Sequence, residues 1–162
     1  YESIIEISRS RERIEKDLAE EVTKGKNVKL GYGGLADIEF SVQILQMMHG
    51  GKNIRLRETN TLSAIVQLDT LGIIDHKDSE NIKKHYIFLR NLECALRIQN
   101  LSLMSHLPKE QEKLLMLAKF LKYSGRNPTD IVEKFRNDYS QSTKEIRGFY
   151  SKTIDTLLRT AL

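Results

Sequence analysis

Residues 29–49, KLGYGGLADIEFSVQILQMMH, restrict the fold more than any other part of this 162-residue chain. Three glycines, Gly31, Gly33 and Gly34, make a loop that runs straight into a segment apolar on nearly every side. Leu35, Ile38, Phe40, Val42, Ile44, Leu45, Met47 and Met48 wind around the whole helical circumference. A helix of that kind is buried from several directions, so other helices must surround it. The expectation is an all-α fold, a bundle of five to six helices around a central buried helix.

The polar residues of this segment are few. At ~100° per residue, Glu39, Gln43 and Gln46 share one stripe, and Asp37 and Ser41 lie almost opposite. A buried polar stripe needs partners, so Asp37, Glu39 and Gln43 are assigned to a polar network or a domain interface. Asp37 and Glu39 point ~200° apart on a helix and do not chelate one ion jointly. The helix dipole and a first-turn N–H suffice to explain Asp37. Lys29, Gly31, Gly33 and Gly34 form a candidate phosphate site, with glycine amides at a helix N-terminus and Lys24 and Lys26 close by. The alternative is a tight connection before a buried helix. GYGG matches neither the P-loop nor the dinucleotide fingerprint.

Elsewhere the chain reads as helix after helix. Residues 3–24 carry a narrow stripe of Ile4, Ile7, Ile14, Leu18 and Val22. Glu12 with Lys16 and Glu20 with Lys24 are i,i+4 pairs. Arg9, Arg11 and Arg13 alternate around that helix and are read as solvated surface. Gly25 suits the helix end, and residues 28–30 read as a short extended piece. After His49-Gly50-Gly51, the cations Lys52, Arg55 and Arg57 offer a second contact surface, Arg55 and Arg57 joining the candidate interface set. Asn60 or Thr59 caps a third helix, and Asp75 or Asp78 opens a long fourth one reaching about Leu101. A fifth begins at Leu107-Pro108 and stops near Gly125. Asn127-Pro128 restarts the chain, with asparagine at the N-cap and proline at the first helical position.

Several classes are excluded or disfavoured. Lys and Arg outnumber Asp and Glu only 26 to 22, too mild for a dedicated nucleic-acid binder. One cysteine, Cys94, permits no internal disulfide and fits a reduced, cytoplasmic setting. No apolar run spans a membrane and no signal peptide opens the chain. The four histidines share no metal-ligand spacing with each other or with Cys94, so no metal site is expected. No linker divides residues 1–162, which read as a single helical domain. Tyr1 is no natural start, so a fragment of a larger multidomain protein is expected.

The ordered set of motifs resembles the bifunctional glutamine synthetase adenylyltransferase/adenylyl-removing enzymes. That family shows a lysine, a glycine-rich turn and an acidic-hydrophobic-Glu-aromatic segment ending in Val-Gln, here Lys29 through Gln43. His49-Gly50-Gly51, Leu56-Arg57, Asn60-Thr61-Leu62, Tyr86-Ile87-Phe88-Leu89-Arg90 with Leu92-Glu93, and Leu107-Pro108 follow in family order. Ala36 stands where many members carry arginine. The resemblance implies a helical domain downstream of a nucleotidyltransferase domain, assisting nucleotide placement and docking of glutamine synthetase. One half of such enzymes attaches AMP to a tyrosine of glutamine synthetase, and the other removes it by phosphorolysis. ATP and Mg2+ would belong to the parent enzyme, and a PII-type regulator is a further partner allowed by the resemblance. This chain has no Asp-x-Asp, so the fragment alone is expected to hold no metal and to be inactive. The alternative is a helical interaction module without a ligand of its own.

Overall fold

A computed structural model describes residues 2–18, 25–99 and 105–160. Among these residues there are six α-helices: α1 (Glu2–Leu18), α2 (Leu35–His49), α3 (Thr61–Thr70), α4 (His76–Ile98), α5 (Gln111–Phe120) and α6 (Pro128–Thr160). A single 3-10 turn, Ile54–Leu56, lies between α2 and α3. The all-α expectation holds, and its centre is where the apolar pattern placed it. Helix α2 packs on α1, α3, α4 and α6. Leu35, Ile38, Val42, Ile44 and Leu45 are all buried.

Local chemistry sets three of the helix starts. Asn60 Oδ1 accepts from Ser63 N at 3.0 Å to start α3. Asp75 Oδ1 accepts from Asp78 N at 2.8 Å to start α4. Asn127 Oδ1 accepts from Asp130 N at 2.9 Å as α6 begins at Pro128. Each satisfies an amide that the first helical turn would otherwise leave unpaired.

Three expectations are corrected. Residues 28–30 form a turn, because Asn27 Oδ1 accepts from both Lys29 N (3.0 Å) and Leu30 N (2.9 Å). Helix α5 starts at Gln111, not at Leu107-Pro108. The residues before it are held in extended pairing, with Val28 N donating to Ser105 O and Leu107 N to Lys26 O, both at 2.9 Å. The same helix stops at Phe120, before Gly125, since Lys122 takes the left-handed conformation (φ 69°) and Tyr123 N donates back to Ala118 O. The third correction concerns Arg11, read as solvated and found fully buried. The stripe positions Ile4, Ile7, Leu18 and Val22 and the Glu20–Lys24 pair lie outside the described residues and side chains.

The central helix is also less enclosed than its composition suggests. Met47 is 63% exposed and Gln43 is exposed. The shared stripe of Glu39, Gln43 and Gln46 therefore runs along the rim of the bundle. Gln46 Nε2 donates to Leu56 O and Glu58 O, each at 2.7 Å, and ties the 3-10 turn to α2.

Candidate functional site

The glycine loop is wound tightly around its own amides. Gly31 N donates to Asn27 O and Gly34 N to Gly31 O, both at 3.0 Å. Gly33 N donates to Asp37 Oδ2 at 3.0 Å. Leu35 N and Ala36 N reach back to Val28 O and Lys29 O. Gly33 holds φ +62°, and a Cβ added there would lie 1.9 Å from Thr143 O, so the loop sits flush against the α6 backbone. The Lys29 side chain, half-buried, is the cationic group of this turn.

Asp37 is the hub beneath it. Arg11 Nε lies 2.6 Å from Asp37 Oδ1, with neither side chain exposed. Arg11 Nη2 donates to Gly31 O at 2.9 Å. Arg147, from α6, places Nη1 at 3.2 Å from Asp37 Oδ2 and at 2.8 Å from Glu15 Oε2. Its guanidinium also lies over the rings of Tyr32 (5.0 Å) and Tyr150 (5.2 Å). Burial pushes the Asp37 carboxyl above its ordinary value, opposed by Arg11, Arg147 and the Gly33 N–H. Desolvation works to lower the Arg147 guanidinium, yet Asp37 and Glu15 raise it overall. Three helices and the glycine turn are thus clamped by one charge network.

Sequence reasoning found Asp37 but missed Arg11 and Arg147. Arg11 sits in an alternating arginine run that resembles any solvated helix, and Arg147 follows no motif. Only the pairing of α1 and α6 on α2 reveals them.

A second network runs along the rim. Arg90 donates from Nη2 to Glu39 Oε1 (2.9 Å), from Nη1 to Glu93 Oε2 (3.0 Å) and from Nε to Tyr86 Oη (3.0 Å). Arg97 Nη2 donates to the other oxygen of Glu93 at 3.0 Å. Glu93 is buried and would be costly without these two arginines. Glu39 is therefore in a polar network, joined to the α4 motif residues Arg90 and Glu93. Gln43, Arg55 and Arg57 stand outside it, on the exposed surface.

A third cluster has no sequence spacing to announce it. Asp69, His76 and Glu80 bring one donor atom each within 4.8 Å of one another, on the surface between α3 and α4. His76 Nδ1 and Asp69 Oδ2 are 2.9 Å apart, and Glu80 is paired with Lys83. No helix among the described residues is long and apolar enough to cross a membrane.

Comparison with known proteins agrees with the motif reading. Among curated relatives, the bifunctional glutamine synthetase adenylyltransferase/adenylyl-removing enzyme of Mycobacterium tuberculosis is 32% identical over 92% of this chain and 15% of its own length. The enzyme of that name from Mycobacterium avium is 36% identical over 92% of the chain and 15% of its length. That of Hahella chejuensis is 31% identical over 84% of the chain and 14% of its length. The chain spans only about a seventh of the relatives it matches. The model of one family matches residues 5–154, and by that match the chain belongs to the family described as GlnD PII-uridylyltransferase.

Proposed function

We propose that this chain is the helical domain of a glutamine synthetase adenylyltransferase/adenylyl-removing enzyme, set beside a nucleotidyltransferase domain in a cytoplasmic protein. The observation that carries the reading is the 30–36% identity to enzymes of that name over nearly the whole chain. The nucleotide follows from the curated relatives, whose names specify adenylyl transfer, whereas the family description specifies uridylyl transfer.

In this reading ATP and Mg2+ are held by the catalytic domain, which supplies the carboxylates that nucleotidyl transfer requires. Bound metal would neutralise charge on the transferring phosphate. This chain's part is positional. Lys29 faces the nucleotide phosphates with its ammonium, while Gly31, Gly33 and Gly34 supply shape, their amides being engaged within the turn. Asp37 keeps that turn seated on α2, and Glu39 with Arg90 stiffens the adjoining rim. Glutamine synthetase docks on the assembled enzyme, and a PII-type protein acts as regulator. The committed glycine amides also favour a second reading, an interaction module with no ligand of its own.

The test is to incubate the chain with glutamine synthetase, magnesium and labelled ATP or UTP, alone and fused to its catalytic domain. The proposal expects AMP transfer by the fusion only, reduced by Lys29→Ala without loss of the folded state. Transfer of UMP alone would refute the adenylyl reading. Kinetics unchanged by Lys29→Ala would favour the interaction module.

A further inference from the structure

Helices α3 and α4 are joined by a tight turn. Gly72 takes φ +66° there, with Gly72 N donating to Asp69 O and Ile73 N to Leu68 O, both at 2.9 Å. The reversal sets Asp69, in the last turn of α3, against the first turns of α4. On α4, His76, Ser79 and Glu80 share one face by their i,i+3 and i,i+4 spacing. His76 Nδ1 lies 2.9 Å from Asp69 Oδ2, and one donor atom each of Asp69, His76 and Glu80 falls within 4.8 Å of the others. The His76 side chain is 78% exposed and that of Glu80 57%, so solvent reaches both. Ser79 is the opposite case. It is fully buried, and among the described residues its Oγ has no hydrogen-bond partner. The Asp69 carboxyl is held below its ordinary value first by His76 and further by this hydroxyl, which stands beside it without hydrogen-bond geometry. A buried hydroxyl left in that position is uncommon and calls for a reason.

We infer that Asp69, His76 and Glu80 form a surface site for a divalent transition-metal ion of the zinc type, with Ser79 behind Asp69 to orient it. One imidazole and two carboxylates suit zinc or cobalt(II), whereas calcium and magnesium prefer oxygen donors alone. The two carboxylates also balance the charge of the ion. Zinc takes such donors at about 2.0–2.2 Å, which sets ligand atoms roughly 3.3 Å apart in a tetrahedral site. Rotation of the exposed His76 and Glu80 side chains closes the present spread to that distance. Glu80 is paired with Lys83, and an exposed pair of this kind contributes little that an ion must overcome. When the imidazole nitrogen turns from Asp69 to the ion, the carboxylate frees an oxygen for Ser79 Oγ, which gives the orphaned hydroxyl its acceptor. The ion then staples the end of α3 to the start of α4. Histidine and cysteine spacing gave no sign of this site, because two of its three ligands are carboxylates and one lies on the preceding helix. It shares no residue with the glycine turn or the Asp37 network and does not depend on nucleotide placement.

The test is calorimetric titration of zinc chloride into the metal-free chain, without a histidine tag. The inference expects one zinc per chain and a melting temperature raised by zinc. His76→Ala, Asp69→Asn and Glu80→Gln should each weaken zinc binding about tenfold or more and cancel the thermal shift. Circular dichroism and melting of the metal-free variants, expected close to wild type, separate loss of a ligand from loss of the fold. Cobalt(II) should develop visible absorption with the wild type and not with His76→Ala. Cys94→Ser, at an exposed thiol farther along α4, should leave zinc binding unchanged. No zinc binding, binding that survives His76→Ala, or binding lost in Cys94→Ser would overturn the inference. So would sedimentation showing that zinc is held only between two copies of the chain.

Discussion

Arg11 and Asp37 meet at 2.6 Å across the α1–α2 contact, and neither side chain is exposed. The carboxylate would be expensive to bury alone, and the guanidinium equally so. Each makes the other's position tenable, and together with Arg147 they fasten α1 and α6 to the glycine turn. The acidic position of the α2 motif thus has a structural task that its place in the sequence does not disclose.

Removing one partner should therefore cost more than removing both. Arg11→Met should lower the unfolding free energy by ~3–5 kcal/mol by leaving Asp37 under-compensated. Adding Asp37→Leu should recover part of that loss. Urea denaturation of the two single variants and the double variant gives the coupling directly. Strictly additive losses would show that the pair is not coupled.

Two glycine-to-alanine changes should move stability in opposite directions. Gly33→Ala places a methyl group against Thr143 in a left-handed backbone and should cost more than ~1–3 kcal/mol. Gly148 is an exposed position of α6 with nothing within 4 Å of an added Cβ. Gly148→Ala should gain ~0.5–1 kcal/mol. Thermal unfolding of the two variants distinguishes them.

The apolar residues of α2 should separate by burial and not by type. Leu45→Ala should cost ~2–5 kcal/mol through the cavity it leaves. Met47→Ala, at an exposed site, should stay within ~0.5 kcal/mol of wild type. Equal losses would contradict the rim placement of Met47.

His85 should make stability depend on pH. Asn81 Nδ2 donates to Glu145 Oε2 at 3.0 Å, which turns its Oδ1 toward His85 Nε2 at 3.1 Å. The imidazole thus carries its proton on Nε2, and Ser142 Oγ donates to Nδ1 at 3.0 Å. Burial pushes the ring below its ordinary value of 6.5, Lys84 adds to this, and Glu145 opposes it. The unfolded chain then takes up this proton first as pH falls. The contribution is fully present above about pH 6.5 and declines below it, toward the lower pKa of the folded state. His85→Gln should flatten the fall in melting temperature across that window.

The helices were legible because their determinants are local. Apolar spacing marked α2, and Asn60, Asp75 and Asn127 announced their helix starts through caps that need only three or four neighbouring residues. The start of α5 was not, since it depends on pairing between residues 26–28 and 105–107, far apart in the chain. All-round apolarity identified α2 as central but could not tell which side faces out. Met47 and Leu45 look alike in sequence and differ only in what packs on them.

The candidate site divides along the same line. The sequence by itself determined the motif, the glycine turn and the helix that follows, because steric freedom at glycine and helical periodicity are properties of a short stretch. Only the tertiary structure decided what those residues contact. Packing of α1 and α6 on α2 brought Arg11 and Arg147 to Asp37, whose carboxylate also takes the Gly33 N–H. Charge partners are chosen by distance in space, and that distance exists only once the helices have docked.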